Sequence, residues 1–281
     1  MQPLTPEARE ARLRAARRSP ELANLHDRSG WLALYTEDAI VEDPVGSPPC
    51  QRGVFSRPGS KDDLERFYET FIAPCAIRVE ERGDYVVGDS VVRDVVLHVV
   101  LTGGGGAAIP AILHYDLVDR GGTLLVRRMR AHWDAGKNGR DMLAQGWRGK
   151  VTSILSGIRL FRVLGKDWAN RYIAGTKRGI RREGPEKIAA LAKALASGDA
   201  AALDGLAAVD ATVSLPGAAS SPLRALDGKS LALELVDPIN SGFTTVARCR
   251  AKSGGRDVKG IAFVDFEPGS KRVAALRLFW E

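Results

Sequence analysis

At 281 residues, 44% of them apolar and 27% charged, the chain is too long for one small domain and predicts two, each with a buried core. No apolar run reaches the roughly 18–20 residues of a membrane-spanning helix, and the charged, helical residues 1–20 lack the apolar centre of a secretory signal. The net charge of +7 is local: 137–182 carries twelve basic residues against Asp141 and Asp167, which leaves the remainder slightly acidic. A nucleic-acid surface spread over the folded halves is thereby excluded. Cys50, Cys75 and Cys249 are odd in number and lack paired spacing, so neither a disulfide framework nor a zinc site is expected, and a cytoplasmic location is predicted.

After the first helical stretch, apolar residues at helical spacing run through Trp31 to Tyr35. The pattern then switches to alternation through Ala39, Val41 and Asp43, so a helix hands over to a strand. Pro44 and Gly46 stop that strand, and 47–60 reads as a loop. A helix follows over 61–72, with Leu64, Phe67, Tyr68 and Phe71 on one stripe. Strands are expected over 77–80, 85–87, 91–101, 109–118 and 124–133. The run Gly103 to Gly106 is followed by no Lys-Ser or Lys-Thr and by no helix, so it predicts a mobile hairpin tip and no nucleotide site.

The basic segment 135–184 is expected to be a helical linker. Ile154, Leu155, Ile158, Phe161, Leu164 and Trp168 form a stripe, with Arg159, Arg162 and Lys166 opposite. Two readings stay open: an amphipathic helix packed on the domains, which is the simpler, or peripheral membrane contact through 148–182. Beyond it the plan repeats. Asp38-Ala39-Ile40-Val41-Glu42-Asp43-Pro44 answers to Asp210-Ala211-Thr212-Val213-Ser214-Leu215-Pro216, and the closing Arg130-Ala131-His132-Trp133-Asp134 answers to Arg277-Leu278-Phe279-Trp280-Glu281. The domains are therefore expected at 1–134 and 185–281. The second has Leu215 where the first has Asp43, and neither His nor Tyr from Gly184 onward, so scaffolding or a pairing of domains, within the chain or between two copies, is its expected role.

Glu42-Asp43-Pro44-Val45-Gly46-Ser47, led in by Asp38-Ala39 and Val41, joined by Phe67-Tyr68 and closed by Met129-Arg130-Ala131-His132-Trp133, resembles the bacterial Δ5-3-ketosteroid isomerases of the nuclear-transport-factor-2-like superfamily over roughly 20–134. The resemblance implies an α+β fold of two tandem cone-shaped domains, each a curved antiparallel sheet wrapped by helices. It also implies a general base at Asp43, in a pocket lined by Trp31, Tyr35, Phe67, Tyr68, Asp116, Met129 and Trp133. The roles of base and oxyanion hole are those known for that family. Its first-helix tyrosine falls on Ser19 here, and its protonated aspartate on His114, which becomes the candidate electrophile. Apart from the resemblance, a strand-end carboxylate in apolar surroundings gains proton affinity and can shuttle a proton between carbons; the plainer alternative is an Asp-Pro turn. His26, His98, His114 and His132 show no ligand spacing, so neither metal nor cofactor is expected. The expected ligand is a steroid-like or polycyclic ketone that is isomerised. A non-catalytic steroid or lipid carrier is the alternative, and the cyclase and hydrolase branches of the fold are a third possibility.

Overall fold

The computed structural model describes residues 4–56, 61–226, 232–253 and 256–280. The end of the 47–60 loop and Glu281 of the second closing strand lie outside the described residues. The chain divides into two compact units, one built on Leu4–Asp84 and Asp89–Lys177, the other on Arg178–Glu281. Among the described residues no helix is long and apolar enough to cross a membrane.

The first unit runs α1 (Pro6–Asn24), α2 (Arg28–Ala33), β1 (Tyr35–Glu42), β2 (Cys50–Gln51) and α3 (Asp63–Phe67), the last continued by a π-helical turn, Tyr68–Ile72. The strands β3 (Cys75–Val87), β4 (Ser90–Leu101), β5 (Gly106–Arg120) and β6 (Thr123–His132) follow, then α4 (Ala135–Leu143), α5 (Trp147–Leu164) and α6 (Lys166–Lys177). Helix starts follow local chemistry. The Thr5 side chain accepts from the Ala8 amide with Pro6 in the first turn, and Asp62 and Glu65 form a reciprocal capping box.

The six strands are ordered β2-β1-β6-β5-β4-β3. The expected antiparallel sheet is in fact mixed, because β1 lies parallel to β6, with Val41 opposite Met129. The helices and hairpins between them return the chain to β1 in the same direction, which a direct hairpin cannot do.

The second unit repeats this order with α7 (Glu183–Ser197), α8 (Ala200–Leu206), β7 (Ala207–Ser214), β8 (Ser221–Pro222), β9 (Ala232–Ser241), β10 (Thr244–Ser253), β11 (Arg256–Phe266) and β12 (Val273–Trp280), arranged β8-β7-β12-β11-β10-β9. The correspondence holds residue by residue. Ala16, Ser19, Leu22 and Ala23 are buried on α1, and Ile188, Leu191, Ala194 and Leu195 are buried at the same spacing on α7. Asp27 caps α2 as Asp199 caps α8, and β1 and β7 share one burial pattern. Val213 opposite Leu276 repeats Val41 opposite Met129.

The segment expected as one linker over 135–184 is three helices, and 135–177 falls within the first compact unit. Its predicted stripe divides. Gly165, with φ of 83°, ends α5 and breaks the helical phase. Leu164 and Trp168 are buried, whereas Ile154, Leu155, Ile158 and Phe161 face solvent. The glycine-rich hairpin tip, expected to be mobile, is tied down instead. The Gly105 amide donates to Thr152 Oγ1 at 3.0 Å and the Gly106 amide to Gln145 Oε1 at 3.2 Å. A Cβ at Gly103 or Gly105 would fall 2.8 or 2.6 Å from Thr152 Oγ1, so glycine is what lets the hairpin touch α5.

Candidate active site

Asp43 directly follows β1, two residues beyond buried Val41, and lines a cavity of 210 Å³ walled by Trp31, Phe67, Phe71, Leu113, Met129 and Trp133. Its Oδ1 accepts a hydrogen bond from Trp133 Nε1 at 2.5 Å. Burial raises its carboxyl to about 6, against the smaller opposite effect of the indole N–H. An indole donor thus takes the place of the backbone amides that an Asp-Pro turn would supply. Asp43, Trp31, Phe67, Met129 and Trp133, all expected in the pocket, are brought together there.

A second polar cluster, apart from Asp43 and Trp133, centres on Ser19. Trp31 Nε1 donates to Ser19 Oγ at 3.2 Å, and Tyr35 Oη lies 3.2 Å from the same oxygen. The Ser19 hydroxyl also acts to lower the proton affinity of the Tyr115 phenol on β5. Both Ser19 and Tyr115 line the cavity. Tyr35 stands one layer behind, 4.6 Å from Trp31 between ring centroids, as does Tyr68 at 5.5 Å. These two expected pocket tyrosines buttress Trp31 and do not reach the ligand space. Burial pushes the Tyr115 phenol up to about 12 despite the nearby Arg93 charge and the Ser19 hydrogen bond, so it is a donor at neutral pH.

His114 and Asp116 do not enter the cavity. Successive side chains on a strand point to opposite faces: Leu113 and Tyr115 face the cavity, and the residues between and beyond them face away. There His114 Nε2 lies 3.3 Å from Asp116 Oδ1, and Arg130 donates to Asp116 Oδ2 at 2.5 Å. Burial alone would raise the Asp116 carboxyl. The hydrogen bond from His114 and the charges of His114 and Arg130 outweigh it and hold the group well below the usual carboxylate range.

The second unit shows what this outer cluster is. Asp265 and Arg277 occupy the positions of Asp116 and Arg130 and make a two-pronged ion pair at 2.9 and 3.1 Å. The guanidinium lies 5.0 Å over Phe263, which stands at the position of His114. An Asp–Arg pair beside a flat ring therefore belongs to the fold in both units. The cavity residues are not repeated. Leu191 replaces Ser19, Leu203 replaces Trp31, Val264 replaces Tyr115, Leu276 replaces Met129 and Leu215 replaces Asp43, with Ala207 in place of Tyr35 behind them, and all six pack in or against the second core.

Tyr172 on α6 is a cavity residue that the sequence pattern does not reveal. It lines the same cavity, its ring 5.2 Å from Phe71 and 5.5 Å from Trp168. Burial, then the Asp43 charge, raises its phenol far above the ordinary range. The available signal is its place one turn beyond buried Trp168 on α6, hidden because the segment reads as linker. Among the described residues no group of three His, Cys, Asp or Glu is placed to hold a metal ion.

A family model described as a SnoaL-like domain matches residues 16–137. No curated protein matches the chain. Solved structures similar to it include a Mycobacterium tuberculosis protein in complex with estradiol-17beta-hemisuccinate, at 28% identity over 44% of this chain and 95% of that one, with a TM-score of 0.36. Delta 5-3-ketosteroid isomerase from Mycobacterium sp. is 27% identical over 44% and 92%, with a TM-score of 0.35. A computationally designed 17-OHP binder is 23% identical over 44% and 94%, with a TM-score of 0.36.

Proposed function

We propose that the first unit, whose residues 16–137 are a SnoaL-like domain, moves a proton between carbons of an apolar, steroid-like or polycyclic ketone. The observation that carries this is the Asp43 carboxyl, raised to about 6 at the wall of an apolar cavity. Near neutrality it is mostly ionised and able to abstract a proton. Its conjugate acid lies only about one pH unit away, so holding the proton between abstraction and return costs about 1.4 kcal/mol. The Trp133 indole fixes Oδ1, which leaves Oδ2 for the substrate.

The steps balance within the substrate. Asp43 takes the proton from the carbon α to the carbonyl, and that C–H electron pair delocalises onto the carbonyl oxygen as a dienolate. The proton then returns to the far end of the conjugated system, shifting the double bond. Substrate and product share one composition, so no redox partner is consumed. The dienolate oxygen needs a hydrogen-bond donor in a dry site. Tyr115, which lines the cavity together with Ser19, supplies from the strand wall the hydroxyl that the resemblance places on the first helix, and Tyr172 is a second phenol on the same cavity. His114 takes no part.

At 210 Å³ the cavity is smaller than the roughly 300–1,000 Å³ of common ligand sites. It fits the reacting end of a polycyclic ketone, with the remaining rings outside. The test is conversion of a 5-ene-3-ketosteroid to its conjugated 4-ene isomer, followed by ultraviolet absorbance. Asp43→Asn is expected to lose about 10³-fold or more and Tyr115→Phe about 10²-fold. Equal turnover by Asp43→Asn and the native chain would overturn the assignment. Ser19, where the resemblance expects a tyrosine, favours a second reading as a carrier. A carrier shows no turnover in either protein, with a ligand-dependent rise in Tm in both.

A further inference from the structure

Helix α5 is apolar on two opposite faces. One face, with Gly149, Thr152, Leu160 and Leu164, is buried. The other carries Trp147, Val151, Ile154, Ile158 and Phe161, spaced so that they form one line along the helix. That line is open: Trp147, Ile154, Ile158 and Phe161 are 70%, 61%, 58% and 41% exposed. Single exposed apolar side chains are ordinary, but a continuous row marks a surface with a partner. Its margins are basic, with Lys150 on one side, Arg148 on the other and Arg162 near the C-terminal end, while Arg159 turns inward to donate to the Glu69 carbonyl oxygen at 3.2 Å. Trp147–Leu164 contains no Asp or Glu.

We infer that α5 docks on an anionic lipid bilayer, with Trp147, Ile154 and Ile158 entering the headgroup–acyl boundary and the flanking cations meeting lipid phosphates. Charge selects this occupant. A second copy seated through the same face would oppose two uniformly basic helices. Aromatic residues near both ends of the row also suit the membrane–water boundary.

The location gives the docking a purpose. A cavity of 410 Å³ beside the row is lined by Ile158, Arg159 and Arg162 together with Phe71 and Leu101. Phe71 and Leu101 also line the Asp43 cavity. An apolar ligand dissolved in the bilayer would meet the outer cavity first and the carboxylate next. The docking itself stands whether or not Asp43 turns a substrate over.

The test is co-sedimentation of the full chain with phosphatidylcholine vesicles, with and without about 30% phosphatidylglycerol. Binding is expected only with the anionic lipid, and about tenfold weaker when salt rises from about 0.1 M to about 0.5 M. A Trp147→Glu, Ile154→Glu double variant, whose altered side chains line neither cavity, is expected to lose about tenfold or more of the bound fraction with Tm unchanged. Turnover of a soluble ketone should not change in it, which separates failure of docking from failure of catalysis. No binding to anionic vesicles, equal binding to neutral ones, or undiminished binding by the double variant would overturn the inference. So would a native dimer that this variant dissociates, since the face would then belong to a second copy.

Discussion

The two units share strand order, helix caps and burial pattern, and differ in what fills the space between α1 or α7 and the sheet. In the first, Ser19, Trp31, Tyr115 and Asp43 leave a cavity with a carboxylate on its wall. In the second, Leu191, Leu203, Val264 and Leu215 fill the equivalent space with hydrocarbon. The fold does not need the polar set. Where that set persists it destabilises, since burial works against the Asp43 charge, and such a cost is characteristic of a functional site.

That contrast is broken most severely from the second unit. Leu191 is completely buried, and Leu191→Ser both opens a void and buries a hydroxyl, so a loss of about 3–5 kcal/mol is expected in urea unfolding. Next comes Asp43→Asn in the first unit, which should stabilise it by up to about 3 kcal/mol at pH 7 while abolishing turnover. The sign follows from a folded-state value of about 6 against 3.8 for the free side chain. The native state holds its proton more tightly, so stability is greatest below pH 4 and falls as pH rises through 6. The advantage of the variant, read as a difference in Tm, should therefore vanish at pH 4.

Smaller effects sharpen the comparison. Ser19→Leu installs the second unit's residue in the first, and should weaken ligand binding about tenfold or more in a calorimetric titration without unfolding the chain. If binding survives, the cavity around Ser19 is not where the ligand sits. Least affected should be His114→Phe, the natural residue of the second unit at that position. Turnover within about twofold of native is expected, because the ring faces away from the cavity; a hundredfold loss would return His114 to the chemistry.

Much of the architecture is legible in the sequence. The change from helical to alternating spacing around Tyr35 located β1, and the paired strings at Asp38 and Asp210 exposed the two units. The aromatic residues near Asp43 pointed to its cavity. What misled was register. His114 and Tyr115 are adjacent, and sequence spacing alone does not say which of two neighbours on a strand faces inward. Tyr172 was obscured because basic residues made its helix read as linker, although its buried face continues the first unit. The glycine run looked loose because the close approach of Thr152 is a tertiary fact, invisible in local composition.

The Asp43 carboxyl holds its proton unusually well, and a carbon-detected NMR titration of its side chain measures that without knowledge of the substrate. A midpoint near 6, moving when Trp133→Phe removes the indole donor, is the expected result. A midpoint near the 3.8 of a solvated aspartate, unmoved by that substitution, would contradict it.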